Sequence, residues 1–408
     1  MRILNINKFY YIQGGADRHY FDLIELLEKH GHTVIPFAMQ SKKNRPSPYS
    51  DHFVRKVDLS QVKFSFQALK NIGRIFYSWQ AKRKIKDLIQ KEKPDIAHIH
   101  NIYHQISPSI LGVLKKHKIP IVMTVNDYKL ICPNYTLFQH GKICEKCKSH
   151  KYYQCFFHKC VKNSYLASLV NTLEMYFHRI FHFYERYVDI FICPSEFLAR
   201  KLTEWGLPRK KIVTLPYFIE EQNPSIIKEG NYVLFFGRLS PEKGLDLLIS
   251  TTQKLPEIKL KIVGEGPERK RLEDYVQKNH ISNVRLVGYK QGEALKKIIQ
   301  KSRFIIVPSI WQEVFGLVVL ESFNSGKTVL ASKKGGLAEI IQEGNTGFFF
   351  QNSAELAKKI QSLYQNREIT QKIGQRAKQE IKKYNPEIYY QKLMKIYQFV
   401  CQKYKSIG

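Results

Sequence analysis

Six short apolar runs, at residues 232–236, 260–263, 284–287, 304–307, 329–331 and 347–350, alternate with helical stretches through the second half of the chain. Runs of this length that are apolar on both faces read as strands of a parallel sheet covered by helices on either side. Strands alternating with helices give a doubly wound α/β domain. The first half repeats the pattern, with strand-like runs at 2–7, 32–38, 95–100, 120–125, 189–195 and 212–217. A chain of 408 residues is long enough to close two such domains around separate cores. The expected division is a first domain over 1–218, a polar linker over 219–230 containing Pro224, a second domain over 231–385, and an amphipathic helix over 386–408.

The stretch 308–339 carries the densest chemistry. Glu313 and Glu321, with seven residues between them, flank a Phe315-Gly316-Leu317 turn that joins the strand at 304–307 to a helical pattern of Val318, Val319, Leu320 and Phe323. The first N–H groups of a helix have no partner within it, so this crossing offers an anion site above the strand end that fits a phosphate. The Glu321 carboxylate, one turn on, accepts two hydroxyl donors side by side, as a ribose diol presents them. Glu313 is placed for a second hydroxylated group beyond the phosphates, and the spacing suits a nucleotide sugar. Taken alone, two glutamates at a helix start are solvated charges favoured by the macrodipole. Arg238 and Lys243 upstream, in GRLSPEKG, and Gly335-Gly336 with Glu339 downstream weigh against that reading.

In this order and spacing the motifs resemble those of the retaining glycosyltransferases of family 4, the group 1 transferases of GT-B fold, and the resemblance runs through most of the chain. Its carriers are Glu313-x7-Glu321 around Phe315-Gly316, Gly237-Arg238-Leu239-x3-Lys243-Gly244, Gly264-x-Gly266-Pro267 and Gly335-Gly336-x2-Glu339. In the first half they are Gly14-Gly15-Ala16-Asp17, Asp95-x2-His98-x-His100-Asn101, Asp127-Tyr128 and Pro194-Ser195-Glu196. The resemblance implies two Rossmann-like domains facing each other across a cleft, with the terminal helix packing back on the first. It implies that Gly237, Gly266, Glu321 and the turn Phe315, Gly316 and Leu317 bind the donor nucleotide, and that Arg238, Lys243, Glu313 and Asp127 carry catalysis. Gly14, Gly15 and Asn126 would face sugar and acceptor. Two departures stand out: Asp17 replaces the usual glutamate of the glycine loop, and Asn126 takes the place of a histidine. Asparagine donates a hydrogen bond but cannot shuttle a proton.

The implied activity is retaining transfer of a hexose-type sugar from a UDP- or GDP-linked donor to a glycan or lipid-linked acceptor, with cell-surface polysaccharide synthesis as the setting. No DxD metal motif stands out, so catalysis is expected to need no metal or other cofactor. His98 and His100 alternate on one strand face and read as packed core histidines. A long helical pattern over 165–187, with Leu166, Leu169, Val170, Leu173, Tyr176, Phe177, Ile180, Phe181 and Tyr184, reads most simply as a core-packing helix, a membrane-lying face being the alternative.

Five of the seven cysteines fall within residues 132–160, an insertion expected in the first domain. Cys144, Cys147, Cys155 and Cys160, with Cys132 as an alternative, have the spacing of a structural zinc site in a reducing compartment; free or redox-labile thiols are the other reading. A related cysteine cluster recurs in a subset of the resembling transferases.

The formal net charge of +31 divides as +19 over residues 1–218 and +12 over the rest. Residues 42–93 alone hold 14 basic and 4 acidic side chains, interleaved with Phe53, Phe64, Phe66, Phe76, Tyr77 and Trp79. Such a surface suits an anionic membrane or a phosphorylated lipid acceptor; plain lysine-rich composition also explains it. Nucleic acid comes last, because no zinc-finger, RRM or helix-turn-helix signature is present. The N-terminus has no apolar signal-like region, and no run reaches about 18 apolar residues. The expected location is the cytoplasm, with peripheral attachment to the inner face of its membrane as an extension. Two rivals stand beside the transferase reading: a non-enzymatic basic module for membrane or nucleic acid, and an epimerase or phosphorylase on the same fold.

Overall fold

A computed structural model describes residues 1–57, 72–221 and 229–405. Phe64 and Phe66 of the basic segment, and most of the expected linker, lie outside the described residues. The chain divides into two compact units. The first comprises Met1–Leu137, Glu145–Pro216 and Tyr389–Gly408; the second comprises Phe138–Cys144 and Tyr217–Ile388. The cysteine-rich stretch is thus shared between units, and the terminal helix Pro386–Lys405 lies in the first unit from Tyr389 onward.

The strands of the first unit are β1 (Arg2–Ile6), β2 (Thr33–Phe37), β3 (Ile96–Ile99), β4 (Ile121–Thr124), β7 (Ile190–Cys193) and β8 (Ile212–Thr214), all parallel, in the order β2-β1-β3-β4-β7-β8. A small antiparallel hairpin, β5 (Phe138–Gln139) and β6 (Lys142–Ile143), belongs to the second unit. The main sheet of that unit is built from β9 (Val233–Phe236), β10 (Leu260–Val263), β11 (Val284–Gly288), β12 (Ile305–Val307), β13 (Val329–Ser332) and β14 (Gly347–Phe350), parallel throughout, in the order β11-β10-β9-β12-β13-β14.

Both sheets are sandwiched, which is why their strands are apolar on both faces. In the second unit Leu234, Phe236, Ile305 and Val307 face one cluster with Val319, Leu320 and Phe323 of the helix Leu317–Asn324. Val233, Phe235, Phe304 and Ile306 face the opposite cluster with Leu245, Leu248 and Ile249 of the helix Leu245–Gln253. Each such side chain contributes about 1.5–3 kcal/mol on burial. In each sheet the strand order reverses once, between β1 and β3 and between β9 and β12. A doubly wound sheet opens a crevice at such a reversal, above the carboxyl ends of the two strands.

One helix departs from expectation. Tyr165–Ile180 is helical and a shorter helix, Phe183–Tyr187, follows it. The apolar stripe of the long helix points outward: Leu166, Leu169, Leu173 and Ile180 are exposed. Its buried side carries Ser168, Asn171, Thr172, Glu174, Met175 and His178. The polar side turns inward because it has partners there. The Lys129 ammonium donates to Glu174 Oε2 (2.7 Å), Asn171 Oδ1 (3.2 Å) and the Pro133 carbonyl (3.2 Å). Thr172 donates to the Tyr152 carbonyl, and His178 Nε2 meets that of Phe76. Tyr184 alone among the apolar positions expected in this core is fully packed.

Candidate active site

The site of the second unit forms where its strand order reverses. β9 leads into Gly237, Arg238 and the single helical turn Pro241–Lys243; β12 leads into Pro308, Ser309 and Glu313. Backbone contacts lock the two loops together. The Ile310 amide donates to the Glu242 carbonyl at 2.9 Å. Gly244 has φ +69°, and any Cβ there would lie 2.1 Å from the Pro308 carbonyl oxygen. Gly335 does the same from the third side: its φ is +60°, a Cβ would sit 2.2 Å from the Glu313 carbonyl oxygen, and the next amide, of Gly336, donates to that oxygen at 2.7 Å. Only glycine meets both requirements at these two positions.

This clamp places Lys243 Nζ 2.7 Å from Glu313 Oε1, which also accepts from Ser309 Oγ at 2.5 Å. The ammonium lies 5.2 Å from the centre of the Trp311 ring. Glu313 is 8% exposed. Burial by itself would raise its pKa, but the Lys243 charge and the hydrogen bonds from Lys243 and Ser309 hold the carboxyl below its ordinary value. The result is an ionised acceptor locked beside a cation at the mouth of the sheet. Ser309 and Trp311 were not singled out in the sequence, although both fall inside the 308–339 stretch.

The other expected donor residues surround this pair by sequence and element. Arg238 is exposed on the loop after β9. Gly316, φ +133°, caps the helix Leu317–Asn324, so the Phe315 to Leu317 backbone leads into its start while the Phe315 ring packs against Tyr217 (5.1 Å) and Tyr384 (6.2 Å). Glu321 is half-buried within that helix. The loop of Gly237 is bound to the loop of Gly266 through the Leu239 amide on the Glu265 carbonyl (2.9 Å) and the Glu268 amide on the Leu239 carbonyl (3.1 Å).

In the first unit the corresponding reversal gathers a second set. Gly14 caps the helix Gly15–Lys29, both glycines are exposed, and nothing lies within 4 Å of where a Gly14 Cβ would stand. Asp17 has turned inward, accepting from Asn7 Nδ2 (3.0 Å) and the Gln13 amide (3.2 Å). Its carboxyl therefore braces the glycine loop, and burial raises its pKa. Asn7 Oδ1 in turn accepts the Asn101 amide (3.3 Å) after β3. Beyond β4 lie Asn126, half-buried, and Asp127, whose Oδ1 takes the Lys129 amide (2.8 Å) and whose pKa is raised by burial. His98 and His100 are core residues. His98 bonds Tyr397 OH (2.6 Å) and Thr124 Oγ1 (2.7 Å) and stacks on His100 at 4.6 Å, and burial lowers its pKa to about 3.

Contact between the thiols of Cys155 and Cys160 lowers the pKa of Cys155 and raises that of Cys160, and Cys132 and Cys147 lie near enough to Cys160 to raise it further. Among the described residues no three His, Cys, Asp or Glu side chains are grouped to hold a metal ion. Zinc binding by Cys144, Cys147, Cys155 and Cys160, with Cys132 as the alternative ligand, stays a proposal. Spacing suggested two facing pairs; Cys155 and Cys160 meet across the end of the helix Tyr153–Phe157.

The family model for Glycosyltransferase Family 4 matches residues 13–223, and that for Glycosyl transferases group 1 matches residues 218–380. The chain belongs to glycosyltransferase family 4. An uncharacterized glycosyltransferase of Methanocaldococcus jannaschii is 26% identical over 404 residues, covering 98% of each chain. Among solved structures, sucrose-phosphate synthase from Thermosynechococcus elongatus superposes with a TM-score of 0.73 at 18% identity, covering 98% of each chain. The Anabaena protein HepE, in complex with UDP-glucose, gives 0.65 at 17% identity, with 97% of this chain and 99% of that one covered. The fold is GT-B, two parallel-sheet α/β units, and this family 4 chain is a glycosyltransferase. No helix among its described residues is long and apolar enough to cross a membrane.

Proposed function

We propose that this glycosyltransferase moves a hexose-type sugar, with retention at the anomeric carbon and without a catalytic metal, from a UDP- or GDP-linked donor to a glycan or lipid-linked acceptor in cell-surface polysaccharide synthesis. The observation that carries the reading is the Lys243–Glu313 pair at the reversal between β9 and β12. It sets a fixed cation and an ionised hydroxyl acceptor beside a helix start whose amides suit a diphosphate. The UDP-glucose bound by HepE supports the donor class.

In this reading Arg238 and Lys243 neutralise the leaving diphosphate, the task a metal performs in other transferases, together with the amides of Phe315 to Leu317. Glu321 takes the ribose hydroxyls and Glu313 a hydroxyl of the sugar, while Gly237 and Gly266 let backbone approach the nucleotide. The acceptor hydroxyl attacks from the side of the leaving group; its oxygen bonds to the anomeric carbon as the bond to the diphosphate breaks, and the departing phosphate takes its proton. No protein nucleophile is needed. Gly14, Gly15 and Asn126 contribute contacts to sugar and acceptor, and Asp127 orients a hydroxyl. The domain roles follow: nucleotide sugar in the second unit, acceptor in the first, in a chain working in the cytoplasm.

The test is product stereochemistry and metal dependence together. Proton NMR of the first product should show the donor's anomeric configuration, and the rate should survive excess EDTA. An inverted product, or activity abolished by EDTA and restored by a divalent ion, would overturn the mechanism.

A further inference from the structure

The outward apolar face of the helix Tyr165–Ile180 has no role in the transfer chemistry, and it does not stop at the helix. At its N-terminal end an aromatic chain runs from Tyr165 to Phe156 (5.3 Å), on to Phe157 (5.5 Å) and to Tyr153 (6.3 Å). Leu166, Leu169, Leu173 and Ile180 continue the band along the helix, over about 21 Å at 1.5 Å per residue. Beyond it Phe177 contacts Phe181 (4.9 Å) and Phe183 (5.9 Å), Phe183 meets Tyr77 (6.3 Å), and Tyr77 meets Trp79 (5.0 Å). Trp79 is 71% exposed, Ile180 69% and Phe157 65%. Such a contiguous exposed band marks a contact surface rather than scattered surface apolarity.

The charges around the band choose the partner. Lysines cap both ends with their ammonium groups over rings of the band: Lys159 lies 4.3 Å from the Tyr165 ring, and Lys82 lies 4.8 Å from Trp79 and 5.5 Å from Tyr77. Lys151, Lys162, Arg83 and Arg186 are exposed nearby in sequence. Residues 145–187 contain seven Lys and Arg against three Glu. All three acids are neutralised: Glu145 by Lys201, Glu174 by Lys129 in the interior, and Glu185 by Arg179. An apolar and aromatic strip ending in snorkelling lysines, with no uncompensated acid in its segment, matches the boundary of a bilayer whose headgroups are negative.

We propose that this face docks the first unit onto an anionic phospholipid surface, with the helix Tyr165–Ile180 lying in the headgroup plane and Trp79 and Phe157 inserted at its two ends. The helix lies on the membrane and does not span it. The side chains that hold it to the protein, Asn171, Thr172, Glu174 and His178, stay on the protein side.

The experiment uses the full chain with vesicles of phosphatidylcholine alone and with 30% phosphatidylglycerol, followed by co-sedimentation and by tryptophan emission. Trp79 is the exposed indole, so its emission should shift to the blue with anionic vesicles, and Trp79→Phe should remove the shift. The pair Leu169→Gln with Leu173→Gln should weaken vesicle binding at least tenfold with only a small change in melting temperature, because both side chains lie on the outward face and are partly exposed. Lys159→Gln with Lys82→Gln should weaken it further and flatten its salt dependence. No sedimentation with either vesicle, or binding indifferent to Leu169 and Leu173, would overturn the proposal. A dimer in solution that the leucine variants dissociate, without vesicle binding, would overturn it in favour of a second copy of the chain. Donor binding by the second unit is independent of all these outcomes.

Discussion

Replacing Lys243 with methionine would leave the Glu313 carboxylate buried beside the Ser309 hydroxyl without the cation it now contacts. Breaking a buried ion pair from one side costs about 3–5 kcal/mol. Here the side chains are 22% and 10% exposed and Ser309 stays in place, so water and the hydroxyl recover part of the loss. We expect about 2–3 kcal/mol, or roughly 5–10 °C in the melting of a domain this size. The sign with pH follows from the pKa. Lys243 and Ser309 hold the Glu313 carboxyl below its ordinary range against the opposing effect of burial. The stabilisation is therefore present above the unfolded carboxylate pKa and lost as pH falls through the folded one. In the variant burial governs, the carboxyl rises, and protonation relieves the uncompensated charge. The gap between wild type and Lys243→Met should be wide at pH 7.5 and narrow at pH 5 in calorimetric melts. Adding Glu313→Gln to the variant should recover most of the stability and none of the activity. A neutral single substitution, or a gap of equal size at both pH values, would refute the reasoning.

Three further outcomes follow from the same structure. Arg238→Ala should lower kcat by about a hundredfold with little change in donor KM, as expected for a charge that acts mainly on the developing diphosphate; an unchanged kcat in steady-state assays removes its assigned role. Gly335→Ala should destabilise the second unit by 2 kcal/mol or more by rough estimate, because its φ of +60° and the Glu313 carbonyl leave no room for a methyl group; a variant melting with the wild type would contradict the clamp. Burial holds His19 and His98 at a pKa of about 3 and His100 well below its ordinary value, so the unfolded chain takes up protons that the folded one refuses. Stability should fall as pH drops below about 6.5, by about 2 kcal/mol per histidine at pH 5. Urea melts of His98→Gln should show a shallower slope with pH, and an unchanged slope would reject the assignment.

All twelve strands of the two main sheets lie where the apolar runs put them, because a strand covered on both faces has little freedom in composition. The Glu313 stretch and GRLSPEKG were visible as motifs, but their meeting was not. Lys243 and Glu313 are 70 residues apart, and what joins them is backbone geometry at Gly244 and Gly335. The inverted helix was misread because a period of 3.6 gives a stripe without saying which stripe is buried. That choice was made by Lys129, far upstream, whose buried ammonium needed Glu174 and Asn171. The role of Asp17 was hidden for a similar reason: its departure from the expected glutamate looked like a change at the site, while its carboxyl closes the loop on Asn7. The cysteine spacing was equally ambiguous, since distance along the chain left open which thiols would meet.

The most direct test of the donor reading is calorimetric titration of the full chain with UDP, GDP and ADP and their glucose, galactose and mannose derivatives, repeated with Glu321→Ala. One nucleotide series should bind, and the substitution should weaken it at least tenfold while leaving the melting temperature of the free protein close to that of the wild type. Absence of binding by every series, or binding that Glu321→Ala leaves intact, would contradict the placement of the donor on the helix Leu317–Asn324.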